Sequence, residues 1–136
     1  MADTLKLEIV TPEGTIYSED VNMVTLPGVA GQIGVYPQHV RLITQMVAGE
    51  IILLKDGRDN YLAVGEGLVE VTGERVAIVT DMAVAAGNID EAKAEEARQR
   101  AEARLREKVS SEQLASVNAA LARSLAQLQV KRRRKA

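Results

Sequence analysis

At Ala85-Ala86-Gly87 the spacing of the apolar residues changes. Upstream they recur at every second position, as side chains do along one face of a strand. Downstream they recur at every third or fourth, as on one face of a helix. No single element satisfies both periods. The spacing therefore predicts two units in series, a β unit over residues 1–86 and a helical unit over 87–136. The chain has 136 residues, enough for one ordinary domain or a small domain with an appendage. Charge divides at the same place. Residues 1–86 carry 5 Lys/Arg against 12 Asp/Glu, net −7; residues 87–136 carry 12 against 7, net +5. Such a split points to two units with different surroundings.

In the first unit "LKLEIV" puts Leu5, Leu7 and Ile9 on one face and Lys6 and Glu8 on the other. "TPEG" at 11–14 signals a turn. Short strands are expected near 15–18, 21–26, 33–36 and 42–47. Residues 50–64 read as a hairpin around Asp56-Gly57, and 67–81 as a second around Thr72-Gly73-Glu74. Strands about every ten residues, punctuated by glycine, predict an antiparallel sandwich or barrel. The chain has no Phe or Trp, so Val, Ile, Leu and Ala must build the core.

In the second unit residues 88–108 and 110–130 read as helices joined at Val109-Ser110, hence an antiparallel hairpin. Asn88 with Glu91, and Ser110 with Gln113, have capping-box spacing. Glu96/Arg100 and Glu102/Arg106 stand as i,i+4 pairs. The first helix offers Ala94, Ala97, Ala101 and Leu105; the second offers a stripe of Leu114, Val117, Leu121, Leu125 and Leu128. Two such helices bury too little alone to offset the entropy of ordering them. The hairpin must dock on the β unit or on a partner, and an element with two docking surfaces is a candidate switch.

Enzyme machinery is not visible. There is no phosphate-binding G-x-x-x-x-G-K-[ST] loop, no G-x-G-x-x-G after a strand, no H-E-x-x-H and no G-x-S-x-G. One histidine and no cysteine leave no standard zinc set and no thiolate chemistry. His39 beside Pro37 has no accompanying nucleophile motif, and Asp56 and Asp59 read as solvated turn residues. Neither a catalytic residue nor a metal is expected. The opening "MADTLKLEIV" lacks the basic and apolar regions of a signal peptide, and no stretch approaches the roughly 20 apolar residues of a membrane span. The basic run "KRRRKA" suits an acidic protein surface, nucleic acid or anionic lipid. Few aromatic stacking platforms and the acidic first unit disfavour nucleic acid.

The stretch "GQIGVYPQHVRLIT" (31–44) resembles the G-E-[IL]-G-[IV]-x-P-x-H-x-P-L motif of the ε subunits of F-type ATP synthases. "GTIYSEDVNMVTLPG" (14–28) is similar to that family's early strands, and "GEGLVEVTGERVAIVTDMA" (65–83) to its G-G-x-x-E-V…V-x-[IV]-L-x-[DE] stretch. "IDEAKAEEARQRAEARL" (89–105) and "ALARSLAQLQV" (120–130) resemble its two C-terminal helices. The segments occur in the family's order and span essentially the whole chain.

The resemblance implies an α+β chain in series: a ten-stranded β-sandwich followed by a two-helix hairpin. It implies a non-catalytic rotor subunit on the central stalk, touching γ and the c-ring and coupling proton flow to ATP synthesis in the α/β head. It also implies a peripheral position at an energy-transducing membrane, on the cytoplasmic face of a bacterial plasma membrane. In many members the extended hairpin inhibits ATP hydrolysis. By the same resemblance, Gly31, Gln32, Gly34, Tyr36, Pro37 and His39 form the loop that meets γ and the ring, with Gly31 and Gly34 as tight corners. Val35 is expected to pack the sandwich. Gln32 stands where the family often has Glu, and Arg41 where it often has Pro. Some members bind regulatory ATP through [IL]-D-x-x-R-A; here Asp90 and Lys93 fill the motif, with Arg100 and Arg123 downstream. Lys93 replaces the arginine and lacks its planar fork, and Gln127 stands where a further arginine can occur. Arg123, Lys131, Arg132, Arg133, Arg134 and Lys135 are the candidates to meet an acidic segment of the head. The alternative reading is a free-standing nucleic-acid-binding or adaptor module that uses the basic tail.

Overall fold

The computed structural model describes residues 3–134. Ten strands come first: β1 Leu5–Thr11, β2 Gly14–Val21, β3 Met23–Gly28, β4 Gly31–Val35, β5 Leu42–Met46, β6 Gly49–Lys55, β7 Arg58–Val64, β8 Gly67–Val71, β9 Arg75–Thr80 and β10 Ala83–Ala85. A short 3-10 turn, Ala86–Asn88, leads to the helices α1 Glu91–Leu105 and α2 Ser111–Arg133. The strands form one hydrogen-bonded path, β10-β7-β6-β3-β5-β8-β9-β1-β2, with β4 paired to β3. Along this path β3 meets β5 only at Gly28 and Met46. The sheet turns there, so that its two halves face each other over a common core.

That core is aliphatic, as the lack of Phe and Trp requires. Leu5, Leu7 and Ile9 are buried in strict alternation with Lys6, Glu8 and Val10. They pack with Val24, Leu26, Val35, Leu53, Val69 and Ile78. The β6–β7 hairpin turns at Asp56-Gly57, both at positive φ (52° and 76°), which aspartate tolerates and glycine adopts freely. One expectation fails: the sheet is not wholly antiparallel. β1 lies parallel to β9, because the first strand enters between β9 and its own hairpin partner β2.

β7 is buried on both faces over Leu62–Val64. Leu62 and Val64 point into the sandwich, while Ala63 and Tyr61 point outward beneath α2. A second, small core forms there from Ala63, Ile89, Ala126 and Val130, with Ala48, Met82 and Val84 around it. The docking helix is α2, which packs on β6 and β7; α1 packs on α2 through Ala94, Ala97 and Ala101.

The helix ends differ in part from expectation. α2 opens with the expected box: Gln113 N–H donates to Ser110 Oγ, and Ser110 N–H donates to Gln113 Oε1. α1 does not begin at Asn88, which lies in the 3-10 turn. Asp90 caps it, its Oδ1 accepting from Lys93 N–H at 3.1 Å. The ion pairs on α1 centre on Arg98, which bonds Glu95 and Glu102; the expected Glu96/Arg100 and Glu102/Arg106 pairs do not form. A guanidinium placed between two carboxylates satisfies both ends of its fork.

The leucine stripe of α2 is also corrected. Val117, Leu121 and Leu128 are covered, but Leu114 and Leu125 are exposed, Leu125 by 45 %. α2 is enclosed on two sides, by α1 and by the sheet, and the side that docks on the sheet is not the leucine stripe. Leu114 lies in the first turn of α2 and is 41 % exposed. The sheet-facing side carries Arg123, Ala126, Gln127, Val130 and Arg134 instead.

Candidate functional site

Three surfaces gather the residues singled out from the sequence. The first is the segment 31–39. Gly31 (φ +123°) closes the two-residue turn between β3 and β4, where Val29 is exposed. Open space surrounds the position, so the backbone angle alone selects glycine. Gly34 is not a corner. It sits inside β4 opposite Thr25, and a Cβ there would lie 2.9 Å from the Met23 methyl. Gln32 is exposed, and Val35 is buried in the core as expected.

Tyr36 is 60 % exposed and Val40 76 %. Between them Gln38 takes a positive φ of 67° and donates its N–H to Gly73 O at 2.6 Å. That bond fixes Pro37 and Gln38 beside the β8–β9 turn. His39 Nδ1 lies 2.7 Å from the Val40 carbonyl, which can only accept, so Nδ1 carries the proton. The segment is thus two exposed corners, Gly31-Gln32 and Tyr36–Val40, at opposite ends of β4 and separated by its last three residues, Ile33, Gly34 and Val35.

Sequence reasoning missed an apolar sheet face. Leu68 pairs with Val79, Val79 with Val10, and Ile43 lies two positions along β5 from the partner of Leu68. All four are exposed, Val79 by 61 %. Their signal was legible: "LVEV" and "AIVT" carry apolar residues at outward as well as inward positions. An exposed cluster of this kind is an interaction surface more often than chance.

The second surface is a groove of about 520 Å³ between α1 and α2. Lys93, Arg100 and Arg104 line it from α1, and Arg123, Ser124 and Gln127 from α2. The structure therefore brings together Lys93, Arg100 and Arg123, and adds Arg104. Asp90 stays outside, committed to the α1 cap. Arg123 also donates to Asp81 at 2.9 Å, and Gln127 Nε2 lies 2.9 Å from Met82 Sδ. Four cations above an alanine floor can take up an anion with a flat apolar part.

The third surface is the basic end of α2. Arg132 donates to Glu91 and Glu95 of α1, and Arg134 to Glu50 of β6. Bonding to Arg98, with Arg132 nearby, holds the Glu95 carboxyl down at about 2. The bond to Glu50 raises Arg134, and the bond to Glu91 raises Arg132. Lys135 lies outside the described residues. Among the described residues no cluster suited to a metal ion occurs, and no helix is long and apolar enough to cross a membrane.

Comparison with known proteins bears on both units. The ATP synthase delta/epsilon chain β-sandwich domain matches residues 4–86, and the long alpha-helix domain of the same chains matches 88–132. The ATP synthase epsilon chain of Herpetosiphon aurantiacus is 41 % identical over 131 residues, covering 96 % of each chain. Epsilon chain 2 of Syntrophotalea carbinolica is 42 % identical over 131 residues, 96 % of this chain and 95 % of its own. Among solved structures, a chain of the Euglena gracilis mitochondrial ATP synthase superposes with a TM-score of 0.75 at 21 % identity, over 95 % of this chain and 81 % of that one. A chain of the Tetrahymena thermophila mitochondrial ATP synthase central stalk/c-ring gives 0.64 at 8 % identity, over 93 % and 96 %. At such identities the two structures speak for the fold alone.

Proposed function

The chain belongs to the family of ATP synthase delta/epsilon chains, and from that membership we propose that it is the non-catalytic epsilon subunit of the central stalk of a proton-translocating F-type ATP synthase. The carrying observation is that both units match, in order, over nearly the full length of relatives named ATP synthase epsilon chain. The nucleic-acid module is not favoured: the sandwich that makes up most of the chain is acidic. As a rotor subunit it binds γ and the c-ring beneath the α/β head and helps to couple proton flow to ATP synthesis. It lies on the cytoplasmic face of a bacterial plasma membrane, held by protein contacts.

The domain division at 86/87 follows from this role, with the sandwich as the fixed adaptor and the hairpin as the regulatory element. The Val10–Val79–Leu68 face with Ile43 offers γ an apolar wall. The corners Gly31-Gln32 and Tyr36–His39 offer the ring loops polar and aromatic contacts; Gly34 supports them from within β4. The test is capture from cells of the chain carrying a C-terminal tag. Wild type should bring down γ and c, Leu68→Glu/Val79→Glu should lose γ, and Gln32→Cys should cross-link to c. Recovery of the chain without γ or c would refute the reading.

A second reading is favoured by the groove. Lys93, Arg100 and Arg123, with Arg104, suit the phosphates of a regulatory nucleotide, and the alanines suit its base. Equilibrium dialysis against labelled ATP tests it: retention should fall in Arg100→Ala, and no retention at millimolar nucleotide would end it. The basic end of α2 is the third part of the proposal. Released from the sandwich, Arg123, Lys131, Arg132, Arg133, Arg134 and Lys135 would meet an acidic segment of the head and brake hydrolysis.

A further inference from the structure

Consecutive cations of the last α2 turn are tied to different elements. Arg132 bonds Glu91 and Glu95 on α1 at 2.9 and 3.2 Å. Lys131 Nζ reaches the Ala86 carbonyl at 3.5 Å. Arg134 places Nε and Nη2 on the two oxygens of Glu50 at 3.0 and 2.9 Å, and its guanidinium lies 3.9 Å from the centre of the Tyr61 ring. Arg133 approaches the same carboxylate at 3.8 Å.

Glu50 is the unusual member. It stands on the outer face of β6, paired with Ala63, yet its side chain is only 6 % exposed. α2 is what covers it: Ala126 and Val130 sit on the neighbouring Ala63. A carboxylate covered this fully is costly unless a cation arrives with the cover. Here both come from one helix, the cover from Ala126 and Val130 and the cation from Arg134. A bidentate fork that also stacks on an aromatic ring is chemistry that arginine has and lysine lacks. The apolar part of the dock is small, Ala126 and Val130 on Ala63 and Ile89. Beside it stand a partly exposed pair, Arg123 with Asp81, and the flanking contacts of Met82, Val84 and Ala48.

We propose that Glu50, Arg134 and Tyr61 form an ionic latch that sets the ratio of docked to released hairpin, and that this latch makes docking salt-dependent. The inference rests on the reading of the hairpin as a movable element. When the latch opens, Glu50 returns to water and Arg133 and Arg134 become available together, while Arg132 keeps its partners Glu91 and Glu95, which travel with the hairpin on α1. Any acidic surface that takes these arginines then competes directly with Glu50.

The chain has no cysteine, so a single introduced thiol reports locally. Ala63→Cys places one under α2, reactive only when the hairpin lifts; Val69→Cys places one in the sandwich core, reactive only on global unfolding. Rates of thiol labelling on the full chain then give the two opening equilibria. In the Ala63→Cys background, Arg134→Gln and Glu50→Gln should each raise the labelling rate about tenfold at low salt. Raising salt to about 1 M should speed the parent more than either variant, in which the Arg123–Asp81 pair remains to be screened. The Val69→Cys rate should not follow. An Ala63→Cys rate above the Val69→Cys rate, but indifferent to both substitutions, would overturn the latch while leaving the movable hairpin intact. Equal rates at the two sites in every background would overturn both.

Discussion

A single glycine shapes one of the contacts between the hairpin and the sandwich. At Gly65 a Cβ would stand 1.7 Å from Asp81 Oδ1. Glycine there lets the Asp81 carboxylate lie against the backbone, where Arg123 reaches it. Gly65→Ala should turn Asp81 away and break that pair, at a cost of about 1 kcal/mol or less because both groups are a third exposed. Combined with Asp81→Ala, the substitution should cost little beyond Asp81→Ala alone, since nothing remains to clash with. A double-mutant cycle read by chemical denaturation checks this. Glu95 gives a second residue-scale prediction. Its carboxyl is held at about 2 in the folded chain against an ordinary 4.5, so the folded state takes up the proton less readily than the unfolded one. Its contribution is complete above pH 4.5 and is lost as pH falls through about 2. Melting temperature in that window should fall less steeply in Glu95→Gln than in the parent.

Among the elements, the strands were the more legible. Alternation in β1, the Asp56-Gly57 turn and the shift of period at Ala85–Gly87 are local patterns, and the structure follows them. The parallel pairing of β1 with β9 was not legible, because it joins residues about seventy positions apart and no turn encodes it. The candidate site divides in the same way. Lys93, Arg100 and Arg123 do share a groove, but Asp90 is spent on a cap, and Arg104 joins only because α1 packs against α2. α2 shows why hydrophobicity alone misleads. Its largest apolar residues mark one wall, while small Ala126 and long Arg134 mark the other. This inverts the usual ranking of substitutions. Leu125→Gln, at an exposed position, should change stability by less than about 0.5 kcal/mol. Ala126→Leu, which adds bulk where Ala63 and Val130 already fill the space, should cost about 1–3 kcal/mol. Thermal unfolding of the two variants side by side tests the order; a larger loss in Leu125→Gln would mean that α2 docks by another face.

On the scale of the whole molecule, the two units carry opposite charge, −7 on residues 1–86 and +5 on 87–136, and much of that attraction is internal. Arg123 meets Asp81, and Arg134 meets Glu50, so the sandwich itself is the acidic surface that the basic helix occupies when docked. An acidic segment of a catalytic head would have to outbid it. Removing residues 131–136 therefore has two opposed consequences. It deletes the latch, which frees α2 from the sandwich, and it deletes most of the cations through which a freed α2 would grip the head. The second effect should dominate, because a helix released without its charges has nothing acidic to hold. Hydrolysis by the assembled head should rise on truncation, and rise more at low salt than at high, since charge contacts within a Debye length of about 10 Å at 0.1 M weaken as salt is added. Glu50→Gln should act in the opposite sense: it opens the latch and keeps the cations, so hydrolysis should fall. Steady-state ATPase assays on heads rebuilt with each variant separate the two, and equal rates for both variants at both salts would remove the electrostatic brake from the account.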